Sequence, residues 1–357
     1  MHIRGFVLPG GEERDLFITA DGRMTFTPLE GATTVAVGLW LIPGFVDMHS
    51  HLEIKSPASP DAEPDELVRA SARAELEAGV LAVREPGSPS YASRGLGPHE
   101  GLPRTITAGR FLAPPGGYIP GLARAIAPDQ LADEAVDELS RTDGWVKVIG
   151  DWAQEGAMQA NFDDDQLAGA AAAVHRAGGR IAIHTTLPRT ALVAATAGFD
   201  TIEHGIGVDE PTISAMLRGA VAWVPTLGIL PFVPEVMAGR GMPRAALDEL
   251  DRQIQATRAA VRTAVEAGVR VLAGTDAGMV EHGSIGEEIG WLSRVGMTSE
   301  QALAAGSWEA RAYLGLPGLD EGAPADIVGF RRDPREPPLP TPDLVVLDGR
   351  VLQAPAN

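Results

Sequence analysis

Four of the eight histidines follow short apolar runs of the sequence. His49 and His51 come after the run FVDM, and their spacing of two puts both side chains on one face of a strand. His184 ends the run RIAIH and His204 ends the run DTIEH. Any one of them could be a structural hydrogen-bonding residue. Four together favour a metal site, which must use nitrogen and oxygen ligands because the chain has no cysteine.

A carboxylate and a lysine extend this candidate set. Asp276 follows the apolar run VRVLAGT, where it could bind a metal ion and carry a proton, or simply form an Asx turn before Gly278. Lys147 lies in WVKVI, and burying an unpaired ammonium group is costly. The sequence leaves two explanations for Lys147. Either it forms a salt bridge to a strand-end carboxylate, or its amine has reacted with carbon dioxide to give a carbamate that can bridge two cations.

The elements that would position these residues follow a repeated pattern, in which an alanine-rich helix ends at a glycine and an apolar strand follows. The pattern occurs at 77–83, 177–184, 197–204, 218–225 and 267–276. Further strand candidates are 45–49, 104–108 and 145–149. Eight strands in this arrangement predict an α/β fold, a (β/α)₈ TIM-like barrel of parallel strands, with a doubly wound open sheet as the competitor. The barrel is favoured because the polar residues end the strands, where barrel enzymes keep their active sites.

Both ends of the chain have a different, alternating pattern with turn signals such as Asp21-Gly22. We therefore predict a small β-sandwich domain formed by both chain termini, residues 1–43 and 320–357. The barrel with the candidate metal site would then occupy residues 44–319.

Composition narrows the choice of partners. The 48 acidic and 29 basic side chains give a net charge of −19, which repels phosphate backbones and anionic membranes. The N-terminal residues contain no apolar stretch of secretory length. We therefore expect a cytoplasmic protein with a small-molecule partner and no nucleic-acid or membrane partner, and leave a homo-oligomer open.

The ordered motifs resemble those of the amidohydrolase superfamily. The segments that carry the resemblance are LIPGFVDMHSHL, the Lys147 strand, the His184 strand, TIEHG, AGTDAG and GAPADIV. Within the superfamily the chain is most similar to the group that contains imidazolonepropionase and the prolidase-like carboxypeptidases. Lys147 points to members with a binuclear metal centre and a carboxylated lysine.

The resemblance implies a cofactor of two divalent metal ions, with zinc favoured and manganese, iron, cobalt or nickel suited to the same donors. His49, His51 and Asp276 would hold the more buried ion. The other ion would lie on His184 and His204, and Lys147 as N6-carboxylysine would bridge the two together with a hydroxide. Asp276 would act as the catalytic base and acid while the hydroxide attacks an amide, small peptide or cyclic amide C–N bond.

Three alternatives remain open at the level of sequence. The enzyme could hydrolyse lactones or other esters, or it could be a mononuclear deaminase or imidazolone hydrolase in which Lys147 is structural. It could also be a non-catalytic scaffold. Candidate substrate-binding residues in the predicted loops are Tyr118, Arg124, Trp152 and His282. Tyr118 and Arg124 could equally serve only to pack and solvate the long loop 109–128.

Overall fold

A computed structural model describes residues 1–55, 63–154 and 157–355. Its strands are β1 His2–Val7, β2 Glu12–Ile18, β3 Met24–Thr25, β4 Thr34–Pro43, β5 Phe45–Asp47, β6 Val80–Glu85, β7 Arg104–Thr107, β8 Phe111–Ala113, β9 Ala123–Ala125, β10 Trp145–Ile149, β11 Asp151–Gln154, β12 Ala157–Ala160, β13 Arg180–Thr185, β14 Thr201–His204, β15 Ala222–Val224, β16 Ile327–Phe330, β17 Leu344–Leu347 and β18 Arg350–Gln353. Its α-helices are α1 Pro64–Glu77, α2 Leu131–Leu139, α3 Asp164–Arg176, α4 Pro188–Ala197, α5 Glu210–Gly219, α6 Val233–Gly239, α7 Arg244–Ala267, α8 Ile285–Arg294, α9 Ser299–Ala305 and α10 Trp308–Leu314.

The two ends of the chain form one seven-stranded sheet in the order β18-β17-β16-β4-β1-β2-β3. Strand β4 pairs in parallel with β1 and antiparallel with β16, so it joins the N-terminal strands to the C-terminal ones. One face buries a separate apolar cluster that includes Leu16, Leu41 and Ile327. The terminal strands thus share a sheet, as expected. The hydrogen bonds join all seven strands into a single sheet, where the sequence predicted a sandwich. The domain boundaries at 43 and 320 stay a prediction.

The middle of the chain is built from parallel strands. One sheet has the order β15-β14-β13-β10-β8-β9 and a second has the order β5-β6-β7. Parallel strands covered by helices on one side and packed side chains on the other read as continuous apolar runs, which explains the repeated pattern in the sequence. The predicted α/β class and parallel strand arrangement are confirmed.

The eighth predicted strand, residues 271–276, is not a regular strand in the structure. It nevertheless makes backbone hydrogen bonds to both flanking strands, from Leu272 N to Trp223 O (2.9 Å) and from Met48 N to Ala273 O (2.9 Å). Parallel bridges also join Trp223 to Val271 and Ser50 to Ala277. This segment therefore lies between β15 and β5.

Two regions differ from the sequence-based expectation. The predicted loop 109–128 contains two short strands, β8 and β9, and β8 pairs with β10. The third predicted strand is therefore interrupted after Thr107, around Gly109 with its positive φ of 66°, and resumes at Phe111. A second unpredicted feature is the antiparallel pair β11–β12, which follows the Lys147 strand.

Several helix boundaries follow the predicted signals. Thr298 and Gln301 form the expected capping box at the start of α9, and Asp163 with Gln166 forms another at α3. The long helix α7 ends at Gly268 in the left-handed conformation. Among the described residues, no helix has both the length and the apolar character required to cross a bilayer.

Candidate functional site

Three predicted ligand residues converge after the first and last parallel segments. His49 Nε2 lies 3.2 Å from His51 Nε2, and Asp276 Oδ1 lies 3.4 Å and 3.3 Å from these two nitrogens. All three residues are buried. Asp276 has a positive φ of 59°, which is uncommon for a residue other than glycine and frequent at functional sites. The backbone therefore adopts an unfavourable conformation where it presents the carboxylate.

The hydrogen bonds of the two imidazoles determine which nitrogen faces Asp276. His49 Nδ1 donates to Glu203 Oε2 (2.7 Å), and His51 Nδ1 donates to the carbonyl oxygen of Gly87 (2.7 Å). Since a carboxylate and a carbonyl can only accept, both Nδ1 atoms carry a hydrogen, and in the neutral imidazole each Nε2 then presents a lone pair. Burial lowers the pKa of His51, which keeps this ring neutral. Two lone pairs and a carboxylate that face one another suit a cation between them, so these residues fit a divalent metal ion.

His184 and His204 lie beside this group. The His204 ring is 4.9 Å from that of His49 and 4.7 Å from that of His184, between centroids. Burial lowers the pKa of His184 well below its usual value and that of His204 to about 3, so both are neutral at physiological pH. His204 Nδ1 is hydrogen-bonded to Thr226 Oγ1 (2.7 Å), and the buried Nε2 of His184 has no hydrogen-bond partner among the described residues. An unpartnered buried nitrogen suits a ligand role.

Lys147 lies on β10 with only 1% of its surface exposed, and it lines the same cavity. Among the described residues it forms no ion pair within 4.0 Å, so the salt-bridge explanation for its burial is not realised. Burial lowers its pKa to about 8. A substantial fraction of the amine is therefore neutral near physiological pH, and a neutral amine is the form that reacts with carbon dioxide.

Two buried charged residues behind the site were missed by sequence reasoning. Glu203 accepts hydrogen bonds from Arg84 Nη2 at 2.8 Å to both carboxylate oxygens, besides the bond from His49. Burial alone would raise the pKa of Glu203, but the neighbouring Arg84 and Lys147 charges hold it well below its usual value. The only hint in the sequence is the position of Glu203 next to His204 in TIEHG. Its partner is 119 residues away, which no local pattern reveals.

A second supporting carboxylate holds the backbone after β15. Glu288 accepts hydrogen bonds from Leu227 N (2.9 Å) and Gly228 N (2.8 Å). These two amides follow Thr226, which has a positive φ of 46° and contacts His204. Glu288 therefore fixes the turn that presents Thr226 to the ligand imidazole.

The four predicted substrate-binding residues divide into two pairs. Tyr118 and Trp152 line the cavity above the histidines, with ring centroids 4.7 Å apart, and Trp152 is 5.6 Å from the His184 ring. Arg124 lies outside the cavity lining, where it pairs with Glu138 at 2.9 Å and with two other carboxylates of α2. His282 also lies outside the lining, with Nδ1 3.0 Å from Glu75 Oε1.

The parallel strands and the imidazole–carboxylate group at their C-terminal ends define a class of hydrolase, and comparison with known proteins gives the family. Residues 40–352 match the model of the Amidohydrolase family, so the chain belongs to this family. Uncharacterized proteins of Mycobacterium tuberculosis and Mycobacterium bovis are 42% identical over 359 residues, covering 98% of this chain and 95% of theirs.

Two solved structures share the fold over nearly the whole chain. A Xaa-Pro dipeptidase with bound methionine in its active site has a TM-score of 0.85 and 21% identity, with 99% of each chain covered. A putative prolidase from Bifidobacterium longum has a TM-score of 0.85 and 23% identity, covering 100% of this chain and 96% of that one. The predicted likeness to prolidase-like amidohydrolases is thus confirmed, and the protein is a hydrolase that acts on carbon–nitrogen bonds.

Proposed function

We propose that the protein hydrolyses the C–N bond of an amide, small peptide or cyclic amide with the help of two divalent metal ions. The observation that carries the proposal is the meeting of three buried ligand atoms within 3.4 Å of one another, His49 Nε2, His51 Nε2 and Asp276 Oδ1. Two imidazole nitrogens and a carboxylate oxygen at this spacing suit a divalent cation. His184 and His204 would serve the second ion, since their neutral rings lie next to the first group.

The proposed site requires that the parallel segments close on themselves. The pairings that support closure run from β5 to β6, across the bridge Ser88–Arg110 to β8, then through β10, β13, β14 and β15. The segment after β15 returns to β5 through the hydrogen bond from Met48 N to Ala273 O. We interpret this circuit as a (β/α)₈ barrel with the terminal sheet beside it. A closed circuit brings the ends of the first and last strands together, as the proposed metal site needs.

Lys147 has a part in the proposal as N6-carboxylysine. Its carbamate would replace a buried, unpaired cation by an anion that can bridge two metal ions, which removes the cost of burying the ammonium group. When bound, the two ions would supply Lewis acidity toward the carbonyl oxygen and lower the pKa of water, as zinc does.

Asp276 is the proposed general base and acid. Its carboxylate lies at the floor of the cavity, where it can accept a proton from the attacking water and deliver it to the leaving nitrogen. Tyr118 and Trp152 cover the opposite side, so that bound substrate is held against the histidines and bulk water is excluded. Both rings pack near the His184 ring, and Trp152 is buried whereas Tyr118 is partly buried. We further propose that the enzyme acts in the cytoplasm on a small molecule, without a nucleic-acid or membrane partner.

Metal analysis of protein purified without chelator tests the proposal directly. We expect two ions per chain, loss of activity on chelation, and hydrolysis of at least one compound in a screen of N-acyl amino acids, dipeptides, hydantoins and lactams. The variant Lys147→Ala should bind at most one ion and lose at least ~100-fold in rate. The only other lysine provides the control, because Lys55→Ala should change neither value.

Each alternative has its own outcome. One ion per chain and an unchanged rate in Lys147→Ala would favour the mononuclear deaminase or imidazolone hydrolase. Faster cleavage of lactones than of any amide would favour an esterase. A protein without bound metal and without activity on every compound would be a scaffold.

A further inference from the structure

The cavity above the proposed metal site has mostly apolar walls. Its lining includes Ile54, Phe111, Ile229, Leu230, Met237 and Met279. About 80 Å³ of the cavity is open to the centre of a water molecule, and with its open mouth the space amounts to about 830 Å³. Apolar walls of this kind stabilise a bulky apolar group in proportion to the area that it buries.

One cationic side chain stands at this mouth without a carboxylate partner. Arg240 directly follows α6, and its guanidinium carbon lies 4.7 Å from the centre of the Trp152 ring. In the part of the chain that the structure describes, Arg240 forms no ion pair, whereas Arg124 pairs with three carboxylates of α2. A guanidinium group that stacks on an indole and has no carboxylate partner in the protein can bind a carboxylate of a ligand.

The contacts of Trp152 relate Arg240 to the reacting centre. The indole centroid is 5.6 Å from the His184 ring and 4.7 Å from the Arg240 guanidinium carbon, so Arg240 and a proposed metal ligand contact the same indole. Tyr118 packs on the same indole at 4.7 Å. A shared contact with one indole suits a substrate whose carboxylate lies a few bonds from the carbonyl group held against His184.

We propose that Arg240 is a specificity-determining residue that binds a carboxylate of the substrate, and that the apolar walls accept a bulky apolar group on the other side of the scissile amide. The substrate class is thus an amide between an apolar acid and an amino acid. This inference rests on the proposed amide hydrolysis and adds the recognition of the substrate's charge. Arginine suits the role because its planar group forms two parallel hydrogen bonds to a carboxylate, and stacking on Trp152 limits the rotamers that must be ordered on binding.

A matched pair of compounds isolates the carboxylate. N-benzoyl-L-leucine and N-benzoyl-3-methylbutylamine share the scissile amide and the apolar groups, and only the first carries a carboxylate. For the unaltered enzyme we expect kcat/KM to be ~10- to 100-fold higher for the acid. In Arg240→Gln this preference should vanish, mainly through a higher KM, while the neutral amide should react within about twofold of its former rate.

Two further variants separate charge from geometry. Arg240→Lys keeps the charge but not the paired hydrogen bonds, so its preference for the acid should be intermediate. Arg244→Gln is the control, because Arg244 is exposed on α7 and pairs with Asp248 at 2.9 Å. It should leave both compounds unaffected. The same pair is also measured as competitive inhibitors of whichever amide the enzyme cleaves fastest, so that slow cleavage of the benzoyl compounds does not hide their binding.

The results distinguish the failure of this inference from that of the proposed function. Equal kcat/KM and equal inhibition constants for the two compounds, or a preference that survives in Arg240→Gln, would overturn the role of Arg240 and leave amide hydrolysis intact. If metal-loaded protein cleaves no amide at all, the proposed function itself fails.

Discussion

Each of three candidate ligand histidines has its second ring nitrogen fixed by a specific partner. His49 is held by Glu203, His51 by the Gly87 carbonyl group and His204 by Thr226. Such partners set which nitrogen is free to bind a metal, and a carboxylate partner also makes the imidazole a stronger donor. The side chains behind the ligands therefore determine the chemistry of the site as much as the ligands themselves.

A substitution of Glu203 tests most directly whether the side chains behind the ligands control metal binding. In Glu203→Gln the side chain can still accept the hydrogen bond from His49 Nδ1, but Arg84 loses the negative charge that it contacts at two 2.8 Å hydrogen bonds. We expect metal affinity to fall ~10- to 100-fold and the free energy of unfolding of the metal-free protein to fall by a few kcal/mol, on the order expected for a broken buried ion pair. Metal titration and chemical denaturation measure the two effects.

The matched control for this substitution is Glu249→Gln. Glu249 also pairs with an arginine, Arg252, but both side chains are more than half exposed. An exposed pair contributes ~0–1 kcal/mol, so neither metal affinity nor stability should change appreciably. Equal metal affinity in Glu203→Gln and the unaltered protein would show that the carboxylate does not support His49.

The buried carboxyl group of Glu85 should make the free energy of unfolding depend on pH. This group is fully buried, and burial together with the nearby Glu53 charge raises its pKa from 4.5 to about 8. Between these two values the folded state holds a proton that the unfolded state has released, so stability falls as pH rises from 4.5 to about 8 and is constant above that for this group. The change amounts to a few kcal/mol.

The variant Glu85→Gln should remove this pH dependence, because the amide cannot ionise. Thermal and urea denaturation of both proteins at pH 5 and pH 9 give the comparison. We expect the variant to gain stability relative to the parent protein as pH rises. A constant difference between them at the two pH values would contradict the raised pKa.

At the scale of elements, the segment after β15 must approach the first parallel strand very closely. A Cβ atom on Gly274 would lie 2.7 Å from His49 Cβ and 2.9 Å from His49 N. Backbone atoms cannot yield as a flexible side chain can, so Gly274→Ala should displace His49. We expect a stability loss of ~1–3 kcal/mol and a clear loss of bound metal.

Gly290→Ala is the control for this close approach. Gly290 lies in α8, and an added Cβ would meet no atom within 4 Å. Alanine is the better helix former, so this variant should be more stable by up to ~1 kcal/mol with unchanged metal content. If Gly274→Ala kept its full metal content, the first and last segments would be less tightly packed than described.

The elements also show what a sequence can and cannot reveal. The strand-end histidines were predictable because a glycine after a helix, an apolar run and a polar residue form a local pattern, as in 177–184. The capping box of Thr298 was predictable for the same reason. Strands β8 and β9 were hidden in a segment rich in glycine and proline, and their pairing depends on β10, which lies farther along the chain. Glu203 and Arg240 gave no usable signal because their partners, Arg84 and Trp152, are distant in sequence.

At the scale of the whole molecule, one buried carboxylate joins the terminal sheet to the parallel strands. Asp326 precedes β16 and accepts hydrogen bonds from Arg311 of α10 (3.0 Å) and from Arg104 of β7 (3.1 Å). It also accepts one from the backbone of Asp348 (2.9 Å). Asp326 and Arg311 are each only 1% exposed in their side chains. The two parts of the molecule therefore share a polar contact that water does not reach.

This contact predicts that Asp326 affects stability without taking part in the chemistry. Asp326→Asn would leave Arg311 buried without its counter-charge, so the free energy of unfolding should fall by ~3–5 kcal/mol. Asp348→Asn alters only the exposed side-chain pair with Arg104 and should cost at most ~1 kcal/mol. Because Asp326 does not line the cavity, kcat per folded, metal-loaded molecule should be the same in both variants at a temperature well below unfolding. Denaturation curves and active-site titration measure these values, and a fall in kcat for Asp326→Asn with the protein still folded would show that the terminal sheet influences the reacting centre.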